Sequence, residues 1–397
     1  MTVNGTVLDG FEAVRDAFGQ AQADDEGGAQ LAVCHQGQLV VDLWTGQDVT
    51  GGRPYTGDSI SILMSVSKGM TATCVHLLGQ RGLLDVDVPV ARYWPEFAAN
   101  GKQHVTVRHL LTHSAGLFGF PVEARIGPRE LLDWDRCITV LAAMAPLWEP
   151  GTAFAYHALT FGYLLGEVVH RIVGRTVGQF FAEEIAKPLS LDLWIGLPET
   201  EEHRVADQFS SLPEADPQQT RDQLQALGID TANPVVVTML ASSSLGGEEA
   251  MRLLNSKDGH AAEVPSANGI GTARSLAKLY AALIGEVDGV RLLQPGTVER
   301  VRMAQTDGMT APEPLAAIPQ QFPLRFALGY EAPRTGSPLF GDSCFGHAGL
   351  GGRLAFADPA TGAGVGYTCT NSRWNYAEGP DARWLPWTAA LRDALQL

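Results

Sequence analysis

One serine and one lysine in the chain have the spacing of an activated nucleophile. Ser65 and Lys68 form an S-x-x-K motif, and residues three apart share a helix face, so the lysine amine can approach the serine hydroxyl. A serine hydroxyl is a weak nucleophile until a neighbouring base removes its proton. Lysine can be that base where desolvation lowers its pKa, and the apolar residues around Ser65 favour such burial. If Ser65 begins the helix, free backbone N–H groups there would favour an oxyanion, so the motif indicates acyl transfer.

A motif of this kind is a weak signal by itself, because about one chance match is expected in a chain of this length. The sequence contains a second one, Ser275 and Lys278. It opens the pattern of an amphipathic helix over residues 272–283, where serine and lysine are ordinary surface residues. We therefore interpret Ser275 as structural.

Other catalytic and metal-binding patterns are missing from the sequence. It contains no G-x-S-x-G elbow, no Walker A loop and no H-E-x-x-H. Residues 349–352 are glycine-rich but lack the G-x-G-x-x-G spacing of a nucleotide-binding loop. His109 and His113 are four apart, yet no third ligand is evident, so we interpret both as buried structural histidines. We expect neither a metal nor an organic cofactor.

The periodicity of the sequence predicts strands near both ends and helices between them. Amphipathic helices are predicted over residues 9–24, 65–82, 129–145, 160–173, 272–283 and 384–397, with a loop and helix over 213–228. A hairpin is predicted over 30–44 with its turn at Gln36-Gly37, and further strands over 326–330, 344–348, 353–358 and 364–371. The pattern predicts one sheet assembled from both termini around an inserted helical segment.

The composition excludes several classes of protein. With 28 basic and 44 acidic residues among 397, the formal net charge is −16, which argues against nucleic acids and anionic membrane surfaces as partners. A 45% hydrophobic content favours a globular core over disorder. No stretch approaches the roughly 20 apolar residues of a membrane span, and the N-terminus does not resemble a secretory signal. Five widely spaced cysteines without a C-x-x-C pair predict free thiols, so the expected location is the cytoplasm.

Four ordered motifs carry a family resemblance. Residues 65–68, residues 105–117 (VTVRHLLTHSAGL), residues 149–152 (EPGT) with Tyr156, and residues 346–349 (GHAG) resemble the serine β-lactamase-like superfamily in order and spacing. Within it the chain is most similar to the family VIII carboxylesterases, which share the class C β-lactamase fold.

The resemblance implies both a fold and a division into domains. The fold would be α/β, with a mixed, largely antiparallel sheet flanked by helices and an inserted, mostly helical domain. The sheet domain would comprise residues 1–85 and 266–397, and the helical domain residues 86–265.

The resemblance also implies roles for particular residues. Ser65 would be the acylated nucleophile, Lys68 its base, and Tyr156 a phenolate or strong hydrogen-bond partner that passes a proton to the leaving group. The backbone N–H groups of Ser65 and Leu350 would form the oxyanion hole. His347 and Gly349 would line the substrate-binding site (the glycine by letting the backbone approach), and one or two tryptophans would line an acyl pocket.

Two departures from the superfamily bear on the substrate. The β-lactamases carry Tyr-x-Asn, whereas this chain has Ala158 two residues after Tyr156. They carry lysine in the strand motif, whereas this chain has His347. An amide and a permanent cation help to hold a β-lactam, so their absence favours neutral esters. His347 would donate to a substrate oxygen or assist deacylation.

The expected function is a serine carboxylesterase acting on a small-molecule ester through an acyl-enzyme. An acyltransferase, an amidase or D-aminopeptidase, or a β-lactamase using the same site remains open. A more distant alternative is an inactive binding protein of the same fold. The sequence leaves the oligomeric state undetermined.

Overall fold

The computed structural model describes residues 2–213, 216–244, 247–320, 322–333, 341–376 and 379–396. The strands of these residues are β1 Asn4–Val7, β2 Ala29–His35, β3 Gln38–Thr45, β4 Gln47–Asp48, β5 Arg53–Pro54, β6 Ser61–Ile62, β7 Leu193–Trp194, β8 Phe209–Ser210, β9 Ile270–Gly271, β10 Phe345–Gly349, β11 Arg353–Asp358, β12 Ala363–Cys369 and β13 Asn371–Ser372. The α-helices are α1 Glu12–Ala21, α2 Ser67–Gln80, α3 Val107–Leu111, α4 Trp134–Ala143, α5 Thr160–Val173, α6 Val177–Phe181, α7 Pro217–Ala226, α8 Pro234–Ser244, α9 Glu248–Leu254, α10 Lys257–Ala261, α11 Ala273–Ile284, α12 Pro295–Arg302 and α13 Leu385–Ala394. Short 3₁₀ turns cover Met64–Val66, Val90–Arg92, Pro95–Ala98, Val122–Ala124, Glu130–Leu132, Glu199–Arg204 and Leu315–Ala317, and a π turn covers Ala182–Ala186.

The central sheet joins the two ends of the chain, as the sequence predicts. Its six strands run in the order β1-β3-β2-β12-β11-β10, and every neighbouring pair is antiparallel. The N-terminal and C-terminal strands meet where β2 pairs with β12, with Ala29 opposite Cys369. The predicted hairpin is present, since β2 pairs with β3 in antiparallel fashion. Its turn residues Gln36 and Gly37 both have positive φ, which a two-residue turn requires if its twist is to match that of the strands. The expected α/β fold is confirmed.

Helices cover both faces of this sheet because its strands are apolar on both sides. Leu31 and Val33 of β2 belong to one core, together with residues of α1 and α13. Ala32 and Cys34 belong to the other core, together with residues of α2 and α11. Successive strand residues point to opposite faces, so a continuous apolar run such as β2 is buried on both sides. In this way α2, which follows Ser65, is held against the sheet.

The segment between residues 86 and 265 is mostly helical. Its helix α5 matches the predicted range, and α5 packs against α2. Two short strands of this segment pair with strands outside it, β7 with β9 and β8 with β13. The division at residues 86 and 265 stays a prediction.

Two predicted elements differ from the structure. Residues 326–330, predicted to be a strand, form a bend with single bridges from Glu331 to Phe326 and to Gly346. The reason is Gly329, whose φ is +80° and whose Cα approaches so closely that an added Cβ would lie 2.7 Å from the Ala72 Cβ. The helix predicted over 129–145 is shorter, because Asp133 caps it by accepting the Arg136 N–H. Residues 214–215 of the predicted loop and residue 397 of the closing helix lie outside the described residues.

Lys102 joins two parts of the helical segment. Its side chain is buried, and Nζ donates to the carbonyl oxygens of Ala99 (2.8 Å), Ala142 (3.0 Å) and Met144. The last two carbonyls lie at the C-terminal end of α4, where a cation is favoured by the helix dipole. Lys102 therefore fixes the end of α4 to the loop that precedes Thr106, a residue paired with Pro89 in a single β-bridge.

All five cysteines are free and buried. Burial raises the pKa of the Cys34 thiol to about 11 and that of the Cys137 thiol to about 12. These thiols are therefore protonated at neutral pH and have little nucleophilic character. Among the described residues, no helix is both long enough and apolar enough to cross a bilayer.

Candidate active site

Ser65 lies in a strained turn immediately before α2. The turn Met64–Val66 is 3₁₀, and Met64 has a φ of 50°, a left-handed conformation that is unusual for a side chain of this size. The Ser67 hydroxyl fixes the turn by donating to the Met64 carbonyl (2.6 Å) and accepting the Gly269 N–H (2.8 Å). Ser65 itself is half-buried. It therefore stands beside the N-terminus of α2, close to the position that the sequence predicts.

Lys68 is completely buried one turn further along. Its Nζ donates to Ser65 Oγ at 3.2 Å and to the backbone carbonyl oxygens of Ala158 at 2.7 Å and Ser266 at 3.0 Å. Burial lowers the pKa of Lys68 well below its ordinary value, and the charge of Glu331 opposes this shift. Three segments far apart in sequence thus meet at one amine.

Tyr156 completes the group from the loop before α5. Its ring stacks on Phe326 with centroids 5.7 Å apart and planes at 5°, and Lys68 Nζ lies 4.8 Å from the centroid of the Tyr156 ring. The side chain is partly exposed, but its hydroxyl is buried. Burial raises the pKa of Tyr156, while the nearby hydroxyls of Ser65 and Tyr376 oppose that shift. Burial thus favours the neutral phenol over the phenolate.

His347 has one ring nitrogen fixed by two acceptors. The buried ring places Nδ1 2.7 Å from the Ala348 carbonyl oxygen and 3.2 Å from Glu331 Oε1. Both partners accept, so Nδ1 carries a proton, and Nε2 of a neutral ring is an acceptor. The expected donation to a substrate oxygen would therefore require the doubly protonated ring.

The end of β10 approaches the serine turn closely. A Cβ added to Gly349 would lie 2.6 Å from the Leu63 carbonyl oxygen and 3.2 Å from the Met64 Cβ, so any side chain there would push the strand away. Leu350 follows directly, is 37% exposed, and its carbonyl accepts from the buried Arg353. The expected oxyanion-hole residue thus follows a strand end that is packed against the turn bearing Ser65.

Two histidines predicted to be structural have different environments. His109 is only half-buried, contrary to the prediction, and forms a capping box with Thr106 at the start of α3. His113 packs against the Tyr156 and Phe326 rings, with centroids 5.0 and 4.3 Å away, and its Nδ1 accepts the His157 N–H (3.0 Å). Burial lowers the pKa of His113 well below its usual range and that of His157 to about 4, so both rings are neutral. Within the described residues, no group of three or more metal-ligating side chains is present.

The second S-x-x-K motif has ordinary structural contacts. Ser275 Oγ accepts the Asp192 N–H at 2.9 Å, and Lys278 pairs with Asp288 at 2.6 Å on the surface. Both contacts are structural, as expected, but the prediction of a surface position is wrong for Ser275, which is buried by its contact with the segment before β7.

A large open cleft adjoins Tyr156. Its volume is about 1340 Å³, and its walls are mainly apolar and aromatic. The aromatic and methionine side chains lining it are Phe118, Phe154, Tyr156, Met239, Met309, Phe322, Trp374 and Trp384. Two of the tryptophans are thus the candidates for an acyl pocket that the sequence could not single out.

Sequence reasoning missed Glu331, Tyr376 and Phe326. Glu331 accepts the Ala348 N–H (3.2 Å), and Tyr376 donates to the Ala348 carbonyl. None of the three lies in a recognisable motif. They reach the site only through the bend after residue 326 and the segment after β13, which periodicity does not specify.

Comparisons with known proteins agree with this geometry. A family model described as Beta-lactamase matches residues 14–385. The chain is 37% identical over 348 residues to the esterase/beta-lactamase LipL of Mycobacterium tuberculosis, covering 85% of this chain and 75% of that protein. A solved family VIII carboxylesterase superposes with a TM-score of 0.82 at 34% identity, covering 99% of this chain and 100% of that one. A penicillin-binding protein homologue from Caulobacter crescentus gives a TM-score of 0.83 at 34% identity, with 99% and 100% covered.

Proposed function

The chain belongs to the beta-lactamase family, as a hydrolase of its carboxylesterase type, and we propose that it cleaves carboxylic esters through an acyl-enzyme on Ser65. The observation that carries the proposal is the position of Lys68 Nζ, 3.2 Å from Ser65 Oγ and bound to two backbone carbonyls. The esterase name of the LipL relative and the family VIII carboxylesterase structure support the ester substrate.

The partners of Lys68 suit a general base. A neutral amine has two N–H groups and one lone pair. The carbonyls of Ala158 and Ser266 can only accept, so they bind the two N–H groups, and the lone pair is left for the Ser65 hydroxyl. Burial favours this neutral form. Lys68 can therefore take the Ser65 proton as Oγ attacks the ester carbonyl.

The remaining steps follow from the same groups. The backbone N–H groups of Ser65 and Leu350 would hold the oxyanion, each donor contributing about 3–4 kcal/mol to the transition state. The neutral Tyr156 phenol would give its proton to the departing alkoxide and regain one from Lys68. Water then attacks the acyl-enzyme with the same groups acting in reverse, which releases the acid and regenerates Ser65.

A β-lactamase activity is the second candidate because the LipL relative carries both names. The site favours esters over β-lactams. Where the β-lactamases have an amide side chain, this chain has Ala158, whose backbone carbonyl binds Lys68 instead. The position of the strand lysine is taken by His347, which faces Glu331.

The test is covalent labelling of the nucleophile. Intact mass is measured for wild type, Ser65→Ala and the matched control Ser275→Ala after treatment with a fluorophosphonate, and turnover of p-nitrophenyl butyrate is measured in parallel. One phosphonyl adduct is expected on wild type and on Ser275→Ala, with neither adduct nor turnover in Ser65→Ala. Labelling of Ser65→Ala, or turnover that survives in it, would overturn the assignment.

A further inference from the structure

Tyr156 lies in a segment of irregular backbone, so contacts with other parts of the chain must fix its direction. Residues 153–157 belong to no helix or strand. Within this segment, the Ala155 N–H donates to the His113 carbonyl oxygen at 3.1 Å, and the His157 N–H donates to His113 Nδ1 at 3.0 Å. His113 therefore binds the backbone immediately before and immediately after Tyr156.

The ring of His113 also lies directly against the side chain of Tyr156. The two ring centroids are 5.0 Å apart, and the Phe326 ring, which stacks on Tyr156, has its centroid 4.3 Å from that of His113. His113 is buried, so water does not compete for its hydrogen bonds. The backbone and the ring of Tyr156 are thus both in contact with one rigidly enclosed side chain.

The hydrogen bond to Nδ1 fixes the chemical state of the His113 ring. A backbone N–H can only donate, so Nδ1 accepts with its lone pair and carries no proton. Burial lowers the pKa of His113, which favours this neutral ring. A doubly protonated ring would turn an N–H towards the His157 N–H, and the bond would be lost.

The backbone of His113 has a strained conformation. Its φ is 60°, in the left-handed region that is uncommon for residues other than glycine. Strain of this kind persists only where the surrounding contacts hold it, and it clusters at functional sites. His109, four residues earlier in the same motif, instead caps α3 through Thr106. The two histidines of the motif therefore have different tasks.

We propose that His113 is a positioning residue for catalysis, whose carbonyl oxygen and Nδ1 hold the segment around Tyr156 so that the phenol hydroxyl meets the leaving group. The inference rests on the proposed ester hydrolysis, in which Tyr156 gives a proton to the departing alkoxide. Lys68 holds the other end of the segment, because its Nζ donates to the Ala158 carbonyl oxygen at 2.7 Å. A displacement of the phenol by about 1 Å would lower the rate by up to about 10²-fold.

Two variants separate the hydrogen bond of His113 from its ring packing, with steady-state kinetics on p-nitrophenyl butyrate as the measurement. His113→Asn keeps an acceptor oxygen near the position of Nδ1 and suits the left-handed backbone, so kcat should stay within about threefold of wild type. His113→Phe keeps a ring but has no acceptor, so kcat should fall about 10- to 10²-fold while KM changes less than about twofold. His109→Asn is the matched control and should keep kcat within about twofold.

A double-mutant cycle shows whether His113 acts through Tyr156. In the Tyr156→Phe background, adding His113→Phe should lower kcat by less than about twofold more, because no hydroxyl is left to position. A merely structural role would lower kcat by the same factor in both backgrounds, which would overturn the proposal. An equal loss of kcat in His113→Asn and His113→Phe would overturn it as well. If His113→Phe does not fold, His113→Ala takes its place in both backgrounds.

The outcomes separate this inference from the function on which it rests. If wild type does not hydrolyse p-nitrophenyl butyrate, or Ser65→Ala hydrolyses it equally well, the esterase assignment fails. If Tyr156→Phe keeps the wild-type kcat, the proton donation by Tyr156 fails and this inference with it, while Ser65 stays the nucleophile. If hydrolysis depends on both Ser65 and Tyr156 but His113→Phe keeps the wild-type kcat, only the positioning role of His113 is overturned.

Discussion

Two buried lysines in this molecule have almost the same surroundings. Lys68 and Lys102 are both fully buried, and each donates to backbone carbonyls. Each also lies near an aromatic ring, Lys68 at 4.8 Å from the Tyr156 centroid and Lys102 at 5.3 Å from that of Phe97. Burial lowers the pKa of Lys102 to about 8 and that of Lys68 well below its ordinary value.

The two amines differ in their third hydrogen-bond partner. All three hydrogen-bond partners of Lys102 are carbonyls, which can only accept, so the ammonium form satisfies every contact. The third partner of Lys68 is the Ser65 hydroxyl, which can donate as well as accept. The neutral amine of Lys68 is therefore as well satisfied as the charged one. Burial alone does not make a lysine a base, because its partners must also tolerate the loss of a proton.

The largest expected difference between the two lysines is in kcat when each amine is removed in turn. Lys68→Met should lower kcat for p-nitrophenyl butyrate by about 10³- to 10⁴-fold, because the Ser65 proton loses its acceptor. Lys102→Met, measured per folded molecule, should keep kcat within about twofold, since the Lys102 amine hydrogen-bonds to Ala99, Ala142 and Met144 and to none of the proposed catalytic residues. A comparable loss of kcat in both variants would contradict the distinction.

Replacing Tyr156 by phenylalanine makes the surroundings of Lys68 resemble those of Lys102. Tyr156→Phe keeps the ring beside the amine and removes only the hydroxyl that we propose donates to the leaving alkoxide. We expect kcat to fall by about 10²-fold with little change in KM, measured by steady-state kinetics. An unchanged kcat would mean that Tyr156 only packs against Phe326.

The order of the two lysines should reverse for stability, with Lys102→Met costing more unfolding free energy than Lys68→Met. Lys102→Met removes the Nζ donor from three carbonyls, of which Ala142 and Met144 lie at the end of α4 and Ala99 keeps the Lys102 backbone N–H, and should cost about 2–4 kcal/mol of unfolding free energy. Lys68→Met removes the Nζ donor from two carbonyls and should cost less. Urea unfolding followed by circular dichroism gives both values. The reverse order would show that the number of bound carbonyls does not set the cost.

The smallest expected effect is a shift in the pH profile. Acylation needs neutral Lys68, so kcat/KM should rise with pH and level off above the folded-state pKa of Lys68, which lies well below 10.5. The charge of Glu331 raises that pKa, so Glu331→Gln should move the rising limb to lower pH. The profile is measured with p-nitrophenyl butyrate, and the control is Glu12→Gln, which removes an equal charge from an exposed position on α1. If the rising limb of the Glu331→Gln profile stays in place or moves to higher pH, the charge of Glu331 does not raise the pKa of Lys68.

Local patterns in the sequence account for much of the fold and for part of the site. The hairpin around Gln36-Gly37 and the helix α5 follow from two-residue and 3.6-residue periodicities. The S-x-x-K spacing identifies Ser65 and Lys68 because both lie within one helical turn. Glu331 was missed because its position depends on a bend at Gly329 and a bridge to Gly346, which are tertiary contacts. Lys102 looks like a surface residue in sequence, and its burial depends on α4 some 40 residues away.

The burial of all five cysteines gives the protein internal reporters of local opening. In the native state a thiol-reactive dye should find no accessible target, so each thiol that becomes alkylated marks a region that has transiently opened. Cys34 and Cys369 lie on paired strands of the sheet, whereas Cys137 lies on α4 of the helical segment. The order in which peptide mapping detects these labels in mild urea would show whether the two parts of the chain unfold together or as separate units.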